Sequence, residues 1–215
     1  MKLTPLSPAH RSLADTLLPH ALHREGDGSH DESHLQRVWK NVTRIQAEEG
    51  GNTEILLAAT LLHDCVTVEK DSHLQSQASR LAAKKASRLL TDLEWGDDKV
   101  TAVAHAIEAH SFSAGIVPET LEAKILQDAD RLDAIGVVGV ARCFYVAGRL
   151  GSDLYDPADP EAQDRPYDDK RYTIDHFQTK LLKLASGFQT GAGARLAELR
   201  HARLQRFLDE FMDEI

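Results

Sequence analysis

A histidine and an aspartate stand side by side at the end of a strongly apolar segment of this 215-residue chain. Residues 55–62 predict a helix that is apolar on every face, and His63 and Asp64 follow it directly. A carboxylate in such a place loses its hydration unless a cation or a hydrogen-bond donor compensates its charge. The pair is therefore a candidate for metal binding. The alternative is a histidine that serves the last carbonyls of its helix beside a solvated aspartate.

Further side chains of the same kinds lie on predicted helices elsewhere in the chain. His34 shares the inward stripe of a helix predicted over about residues 31–49, where an ordinary hydrogen bond is the alternative to a metal bond. Asp130 and Asp133 are three residues apart, so on a helix they share a face. With Arg131 between them, a buried acidic pair favours a bound cation, whereas an exposed acidic turn paired with Arg131 is the alternative.

Together, four of these residues supply two imidazoles and two carboxylates from three predicted helices: His34, His63, Asp64 and Asp130. This mixed set of nitrogen and oxygen donors suits Mn²⁺, Fe²⁺, Zn²⁺ or Mg²⁺ with open positions, more than a closed structural site. An ion of this kind lowers the pKa of its water and polarises a phosphoryl oxygen, which is what phosphate ester hydrolysis needs. The sequence therefore predicts metal-dependent phosphohydrolysis.

The elements that must carry these residues are predicted to be helices throughout. Aromatic residues make up only 6% of the chain, and alanine and leucine are plentiful, which favours helices over sheets. Pro19 is predicted to end or kink the first helix. The predicted helices cover about residues 8–18, 31–49, 54–63, 76–90, 97–110, 120–151 (as one helix or two), 173–186 and 194–212. The expected fold is all-α, with one domain over residues 1–215, a metal-binding core at about 27–150, and a C-terminal loop and helices over 151–215.

Charge and cysteine content limit the partners and the compartment. The formal net charge is −9 without a long basic run, which disfavours long nucleic acid as a partner. No apolar run reaches membrane length. Cys65 and Cys143 lack metal-binding or CxxC spacing, and two plain thiols fit a reducing compartment. We therefore expect a cytoplasmic monomer or homodimer that acts on a small phosphorylated metabolite.

Seven segments carry a family resemblance: HDESHLQRVW (30–39), LLHD (61–64), SQAS (76–79), AHSFS (109–113), QDADRLDAIG (127–136), RPYDDKRY (165–172) and HFQTKLLKL (176–184). Together they cover roughly residues 27–190 and resemble the HD-domain metal-dependent phosphohydrolases, in particular their small stand-alone bacterial branch. The resemblance implies an HD-domain helical bundle whose ligands, here His34, His63, Asp64 and Asp130, bind one divalent ion per chain. Manganese is favoured among Mn, Fe, Mg, Zn, Co and Ni.

The same resemblance implies a substrate class. Some members of this branch are similar to nucleotide pyrophosphohydrolases, whereas many others have no assigned substrate. The resemblance implies cleavage of a phosphoester or phosphoanhydride of a small nucleotide. Nucleoside triphosphate pyrophosphohydrolysis is one form of that reaction. Two other activities of related proteins are the alternatives: a non-catalytic nucleotide-sensing HD domain, and a two-iron oxygenase on the same fold.

One position departs from the family pattern. Nucleotidases of the wider family often carry a glutamate three residues after the Asp of the pair, and here that residue is Thr67. Glu69 and Lys70 lie close by in the sequence as candidate replacements; the alternative is that a metal-bound hydroxide needs no such partner. Lys70 is a candidate catalytic residue and phosphate ligand, since an ammonium group is a suitable point charge, with a solvated lysine as the alternative.

Two histidines between the HD pair and Asp130 fall where two-metal members of the superfamily carry extra ligands. Five residues on one helix turn by about 500°, so the side chains of His105 and His110 diverge by roughly 140°. We expect His110 to face the phosphate or donate a proton, the alternative being a helix-terminal histidine. The oxygenase alternative would require both histidines to reach a second metal.

The remaining roles follow from the charge of a bound phosphate. Asp64 or Asp133 is expected to orient the attacking water, and Lys70, Arg131 or His110 to balance the phosphate charge. The separate pair His30-Asp31 is expected to lie outside the metal's coordination sphere.

A loop rich in proline and aspartate covers residues 152–170. A loop of this length in a compact chain is usually a lid, a binding loop or disordered. We expect Lys170 or Arg171 to approach the substrate phosphates, because acidic metal ligands need basic groups opposite them to hold a polyphosphate. A mobile surface loop is the alternative.

Overall fold

The computed structural model describes residues 3, 6–21, 32–66 and 77–215. Within these ranges the regular structure is helical, apart from an isolated β-bridge between Asp153 and Tyr172. This confirms the all-α prediction. The α-helices are α1 (Pro8–Ala21), α2 (Glu32–Glu49), α3 (Thr53–Leu62), α4 (Ala78–Asp92), α5 (Asp97–His110), α6 (Leu121–Asp133), α7 (Gly136–Leu150), α8 (Asp175–Thr179) and α9 (Gly191–Asp213).

The turn between α2 and α3 shows how local chemistry sets the helix bounds. Gly50 and Gly51 end α2 with φ of +83° and +99°, values that glycine adopts without steric cost. The Asn52 side chain then accepts hydrogen bonds from the backbone N–H groups of Glu54 (3.0 Å) and Ile55 (3.3 Å). This N-cap fixes the first residue of α3.

The chain divides into two compact units, residues 1–130 and 131–215, with the boundary inside α6. The expectation of one domain over residues 1–215 stays a prediction. In the first unit α3 is the central helix, because it packs against α1, α2, α4 and α5 and buries every residue from Ile55 to Leu62. The apolar stripe predicted on α2 is buried as well, and consists of Leu35, Val38, Val42 and Ile45.

In the second unit α7 packs against α9 around an aromatic core. Val140, Phe177 and Leu204 are buried there, and Phe144 and Phe207 pack against them. The Phe177 and Phe207 rings stack with their centroids 5.8 Å apart. Burial of such large apolar side chains is the main source of stability for a unit of this size.

Two helix predictions were wrong in their bounds, and a third had left open one helix or two. A single helix over 173–186 is replaced by α8 and a short 3-10 helix (Leu181–Lys183), because Lys180 at φ −136° and ψ −59° leaves the helical conformation between them. The segment 120–151 forms two helices, since Gly136 at φ +75° breaks the ladder between α6 and α7. Helix α1 continues past Pro19 to Ala21. The missing proline N–H removes one backbone hydrogen bond. Because this bond lies near the helix end, its loss does not prevent the last two residues from staying helical.

Across the described ranges, no helix combines the length and apolarity needed to cross a membrane.

Candidate metal centre

Side chains from α2, the end of α3 and α6 converge in the first unit. The Nε2 atoms of His34 and His63 lie 3.2 Å apart. Asp130 Oδ1 is 3.5 Å from His34 Nε2, and Asp64 Oδ2 is 3.4 Å from His63 Nε2. Both imidazoles are buried, whereas the carboxylates of Asp64 and Asp130 are 34% and 28% exposed. The cluster is therefore closed on the histidine side and open to solvent on the carboxylate side.

The local fold sets the tautomer of His63. Its Nδ1 lies 2.8 Å from the carbonyl oxygen of Thr60, one turn back on α3. Because a carbonyl only accepts, Nδ1 carries the proton and Nε2 presents a lone pair to the cluster. Burial lowers the pKa of His63, although the nearby carboxylates of Asp64 and Asp130 oppose this shift. A neutral imidazole with a free Nε2 is the form that binds metals.

His110 reaches the same cluster from the last turn of α5. Its Nδ1 lies 2.6 Å from the carbonyl oxygen of Ile107, and its Nε2 lies 3.7 Å from Asp64 Oδ1. Its ring meets that of His63 edge to face, with centroids 4.8 Å apart. Ligand atoms close enough to share one metal ion occur in two overlapping groups, His34/His63/Asp130 and His63/Asp64/His110.

His105 has different surroundings from His110. Its Nε2 accepts a hydrogen bond of 3.0 Å from the backbone N–H of Glu119 and is half-buried. A nitrogen that accepts this bond does not present its lone pair to a metal. This agrees with the predicted divergence of the two histidines along α5.

Arg131, expected to bind substrate phosphate, is a buried structural residue in the second unit. Its guanidinium donates to the carbonyl oxygens of Leu184 (2.9 Å), Ser186 (2.6 Å) and Gly187 (2.8 Å). It also lies over the Phe188 ring, 4.7 Å from the centroid. Both Nη groups of its guanidinium hold this turn, and a role in binding phosphate stays a prediction.

Asp133 is likewise occupied in the second unit, where it is only 1% exposed. Its Oδ2 accepts a hydrogen bond of 2.7 Å from Nη1 of Arg142 on α7. The sequence interpretation gave Asp133 a share in orienting water, because it assumed a common helix face with Asp130. The ion pair with Arg142 balances its charge within the second unit, and a share in orienting water stays a prediction.

Three further residues were predicted to bind the substrate phosphates: Lys70, Lys170 and Arg171. Lys170 and Arg171 are exposed in the second unit, where the Arg171 guanidinium lies over the Tyr172 ring (4.9 Å). Their approach to a phosphate stays a prediction. Lys70 lies outside the described residues, and so do the four other positions named from the sequence, which are His30, Asp31, Thr67 and Glu69.

Sequence reasoning missed two buried amides next to the cluster. Asn41 lies two turns after His34 on α2, and Gln127 lies one turn before Asp130 on α6; both are buried. The signal was available, since a polar residue on the buried face of a helix needs an internal partner. Each amide donates a hydrogen bond to a backbone carbonyl.

Fold and site together define an all-helical protein with a His/Asp cluster that can hold a metal ion. The model of the HD domain matches residues 32–135. The chain is 32% identical to the protein YpgQ of Bacillus subtilis (strain 168) over 190 residues, 86% of this chain and 84% of that protein. The chain therefore belongs to the HD-domain family.

Solved structures agree with this assignment. The crystal structure of an HD-superfamily hydrolase from Bacillus thuringiensis has a TM-score of 0.71 at 33% identity, covering 95% of this chain and 96% of that one. The crystal structure of Bacillus subtilis YpgQ in complex with ADP has a TM-score of 0.70 at 30% identity, covering 96% of this chain and 93% of that one. The family thus includes structures described as hydrolases.

Proposed function

We propose that this chain is a metal-dependent phosphohydrolase that cleaves a phosphoester or phosphoanhydride of a small nucleotide. The observation that carries the proposal is the convergence of four donor groups on one partly exposed centre. The atoms involved are Nε2 of His34 and His63 and a carboxylate oxygen each of Asp64 and Asp130, with the separations given above.

The donor set fits a divalent transition metal. Two neutral imidazoles and two carboxylates offer nitrogen and oxygen ligands with a net charge of −2, which a divalent cation balances. The lone pair on Nε2 of His63 points into the cluster because Nδ1–H serves Thr60. We favour Mn²⁺ among Mn, Fe, Mg, Zn, Co and Ni, with one ion per chain. When bound, such an ion lowers the pKa of water and polarises a phosphoryl oxygen.

The chain's own residues supply the proton transfers in this proposal. As water attacks phosphorus, the new O–P bond forms and its proton passes to the carboxylate of Asp64, which is one-third exposed. The bond from phosphorus to the leaving oxygen breaks, and that oxygen takes the Nε2 proton of a doubly protonated His110, whose Nδ1–H continues to serve the carbonyl oxygen of Ile107. The contact of His110 Nε2 with Asp64 Oδ1, at 3.7 Å, supports a shared task of these two groups. Lys70, Lys170 and Arg171 are the basic groups proposed to meet the phosphates.

The nucleotide substrate rests on two separate supports. The sequence resembles a branch similar to nucleotide pyrophosphohydrolases, and the related YpgQ has been crystallised with ADP. The test is a panel of nucleoside mono-, di- and triphosphates with Mn²⁺, Mg²⁺ or Co²⁺, in which the released product is identified as phosphate or pyrophosphate. We expect hydrolysis that chelation abolishes and that Asp64→Asn reduces at least 100-fold. Wild-type protein that binds the metal but cleaves no member of the panel would refute the proposal.

A second candidate, a two-iron oxygenase, is favoured by one observation. His110 joins His63 and Asp64 in a second group that can hold an ion. The metal content of purified protein separates the two functions, because a hydrolase with one ion predicts one metal per chain and the oxygenase predicts two irons. A non-catalytic sensor predicts nucleotide binding without turnover.

A further inference from the structure

Asn41 connects the two helices that carry His34 and Asp130. It is buried on α2, and its Nδ2 donates a hydrogen bond of 2.9 Å to the carbonyl oxygen of Ala129 on α6. Ala129 is the residue immediately before Asp130, and it is fully buried. The bond therefore fixes the backbone of α6 against α2 next to the carboxylate that meets His34.

Gln127 makes an equivalent connection to the helix that carries His110. It is buried on α6, and its Nε2 donates a hydrogen bond of 2.7 Å to the carbonyl oxygen of Ala109. Ala109 is the residue immediately before His110, in the last turn of α5. A carbonyl there has no partner within its own helix, so the amide of Gln127 supplies the missing donor.

The amide nitrogen of Gln127 has a hydrogen-bond partner, but its amide oxygen does not. Within the described residues no group donates to Oε1, although this atom is buried. An apolar side chain of the same size would avoid that desolvation cost. Stability alone therefore does not explain an amide at this position, and its bond to Ala109 is the feature that an apolar residue would lose.

We propose that Asn41 and Gln127 are positioning residues with separate tasks at the candidate centre. Asn41 sets the distance between His34 and Asp130, and so controls metal affinity. Gln127 sets the position of His110, and so controls turnover. This inference rests on the proposed function for the turnover task, whereas the affinity task depends only on metal binding.

The test compares three variants of the full-length protein that each remove one side-chain amide. Asn41→Leu and Gln127→Met delete the bonds to Ala129 and Ala109. Gln46→Met is the matched control, because Gln46 Nε2 also donates to a backbone carbonyl, that of Gly51 (3.1 Å), and to the hydroxyl of Thr53 (2.7 Å), at the opposite end of α2 from His34. Mn²⁺ affinity is measured by calorimetry, kcat and KM on the best nucleotide at saturating Mn²⁺, and folding by thermal unfolding of the metal-free protein.

We expect the two variants to change different parameters, Mn²⁺ affinity in one and kcat in the other. Asn41→Leu weakens Mn²⁺ binding about 10- to 100-fold, the range found for groups that orient metal ligands, and at saturating Mn²⁺ its kcat returns to within about 3-fold of wild type. Gln127→Met keeps Mn²⁺ affinity within about 3-fold but lowers kcat about 10-fold without raising KM. Gln46→Met changes neither parameter. If Asn41→Leu does not fold, Asn41→Ser, whose side chain is too short to reach Ala129, takes its place.

A double-mutant cycle tests whether Gln127 acts through His110. If it does, Gln127→Met has no further effect on kcat once His110→Ala is present. The inference is overturned if Asn41→Leu and Gln127→Met shift the same parameter equally, if neither exceeds the control, or if the effects of Gln127→Met and His110→Ala multiply. Wild-type protein that binds Mn²⁺ but hydrolyses no nucleotide refutes the proposed function alone, since Asn41→Leu must still weaken Mn²⁺ binding.

Discussion

The two compact units use their aspartates in different ways. In the first unit, Asp64 and Asp130 lie against imidazoles and remain about one-third exposed. In the second, Asp133 and Asp175 are each only 1% exposed. Asp133 forms a salt bridge with Arg142, and Asp175 forms one with Arg165. Carboxylates held by arginine have their charge balanced within the fold, whereas carboxylates facing imidazoles can take an added cation. Residue type alone therefore does not identify candidate metal ligands; the partner does.

The largest expected effect comes from removing the residue shared by both metal-capable groups. His63→Ala should lower Mn²⁺ affinity by more than about 100-fold, beyond the range for groups that only orient ligands. Calorimetric titration and metal analysis of the purified variant measure this. His105→Ala is the control, since His105 accepts from Glu119 and lies outside both groups. Binding of one metal per chain at wild-type affinity by His63→Ala would contradict the interpretation that the aspartates of the first unit, unlike those of the second, face a metal site.

That distinction was only partly predictable from the sequence. Helix periodicity placed His34 on a buried face, and the unbroken apolar run before His63 marked its unusual position. These are local properties of a chain segment. Asp130 and Asp133 have the same side chain and the predicted same face, and only the tertiary contact with Arg142 separates their roles.

Tertiary contacts that local sequence patterns do not reveal also determine the surroundings of Arg131 and of the segment 152–170. The charge of Arg131 suggested phosphate, but its donors meet backbone carbonyls more than 50 residues later in the chain. In the segment 152–170, the structure pairs Asp153 with Tyr172 and Arg165 with Asp175. Pairings between distant residues leave no periodic pattern, so composition alone predicted only a loop.

The next largest effect should follow from breaking an arginine pair of the second unit. Arg142→Met leaves the buried carboxylate of Asp133 without its charged partner, which should destabilise the protein by roughly 3–5 kcal/mol. Mn²⁺ affinity should not change. Chemical denaturation and calorimetry measure the two quantities. Arg149→Met on the exposed part of the same helix is the control, with an expected change under about 1 kcal/mol. Loss of metal binding in folded Arg142→Met would contradict the separation of tasks.

A smaller effect is expected from the exposed charges of the second unit. Lys170→Ala combined with Arg171→Ala should raise KM for a nucleoside triphosphate about 30-fold, because each of the two lost phosphate contacts contributes roughly 1 kcal/mol. Metal content should stay at the wild-type level. The matched control removes two exposed arginines of α9, Arg203→Ala with Arg206→Ala. Unchanged KM and kcat in the first double variant would make this segment a surface loop without contact to substrate.

The smallest effect concerns a carboxylate of the second unit that is held by hydrogen bonds at the surface. Asp169 Oδ2 accepts from the hydroxyl of Thr179 (2.8 Å) and lies 3.2 Å from His176 Nδ1. These two contacts hold the pKa of Asp169 below its usual value of 3.8, the Thr179 bond being the larger cause. The folded state therefore binds this proton less readily than the unfolded state. Its stabilising contribution is present above about pH 4 and is lost as the pH falls through the folded-state pKa.

Asp169→Asn should consequently destabilise the protein at pH 7 by less than about 1 kcal/mol, since the group is largely exposed. The difference in unfolding free energy between wild type and variant should shrink as the pH is lowered from 5 toward 3. At low pH the wild-type carboxylate becomes protonated and loses the negative charge that distinguishes it from the amide. Denaturation curves at a series of pH values measure this. Asp209→Asn, on the exposed face of α9, is the control and should show no comparable trend. A difference that grows with falling pH would show that Asp169 is destabilising as a carboxylate, and would remove it from the group of second-unit aspartates whose charge the fold itself balances.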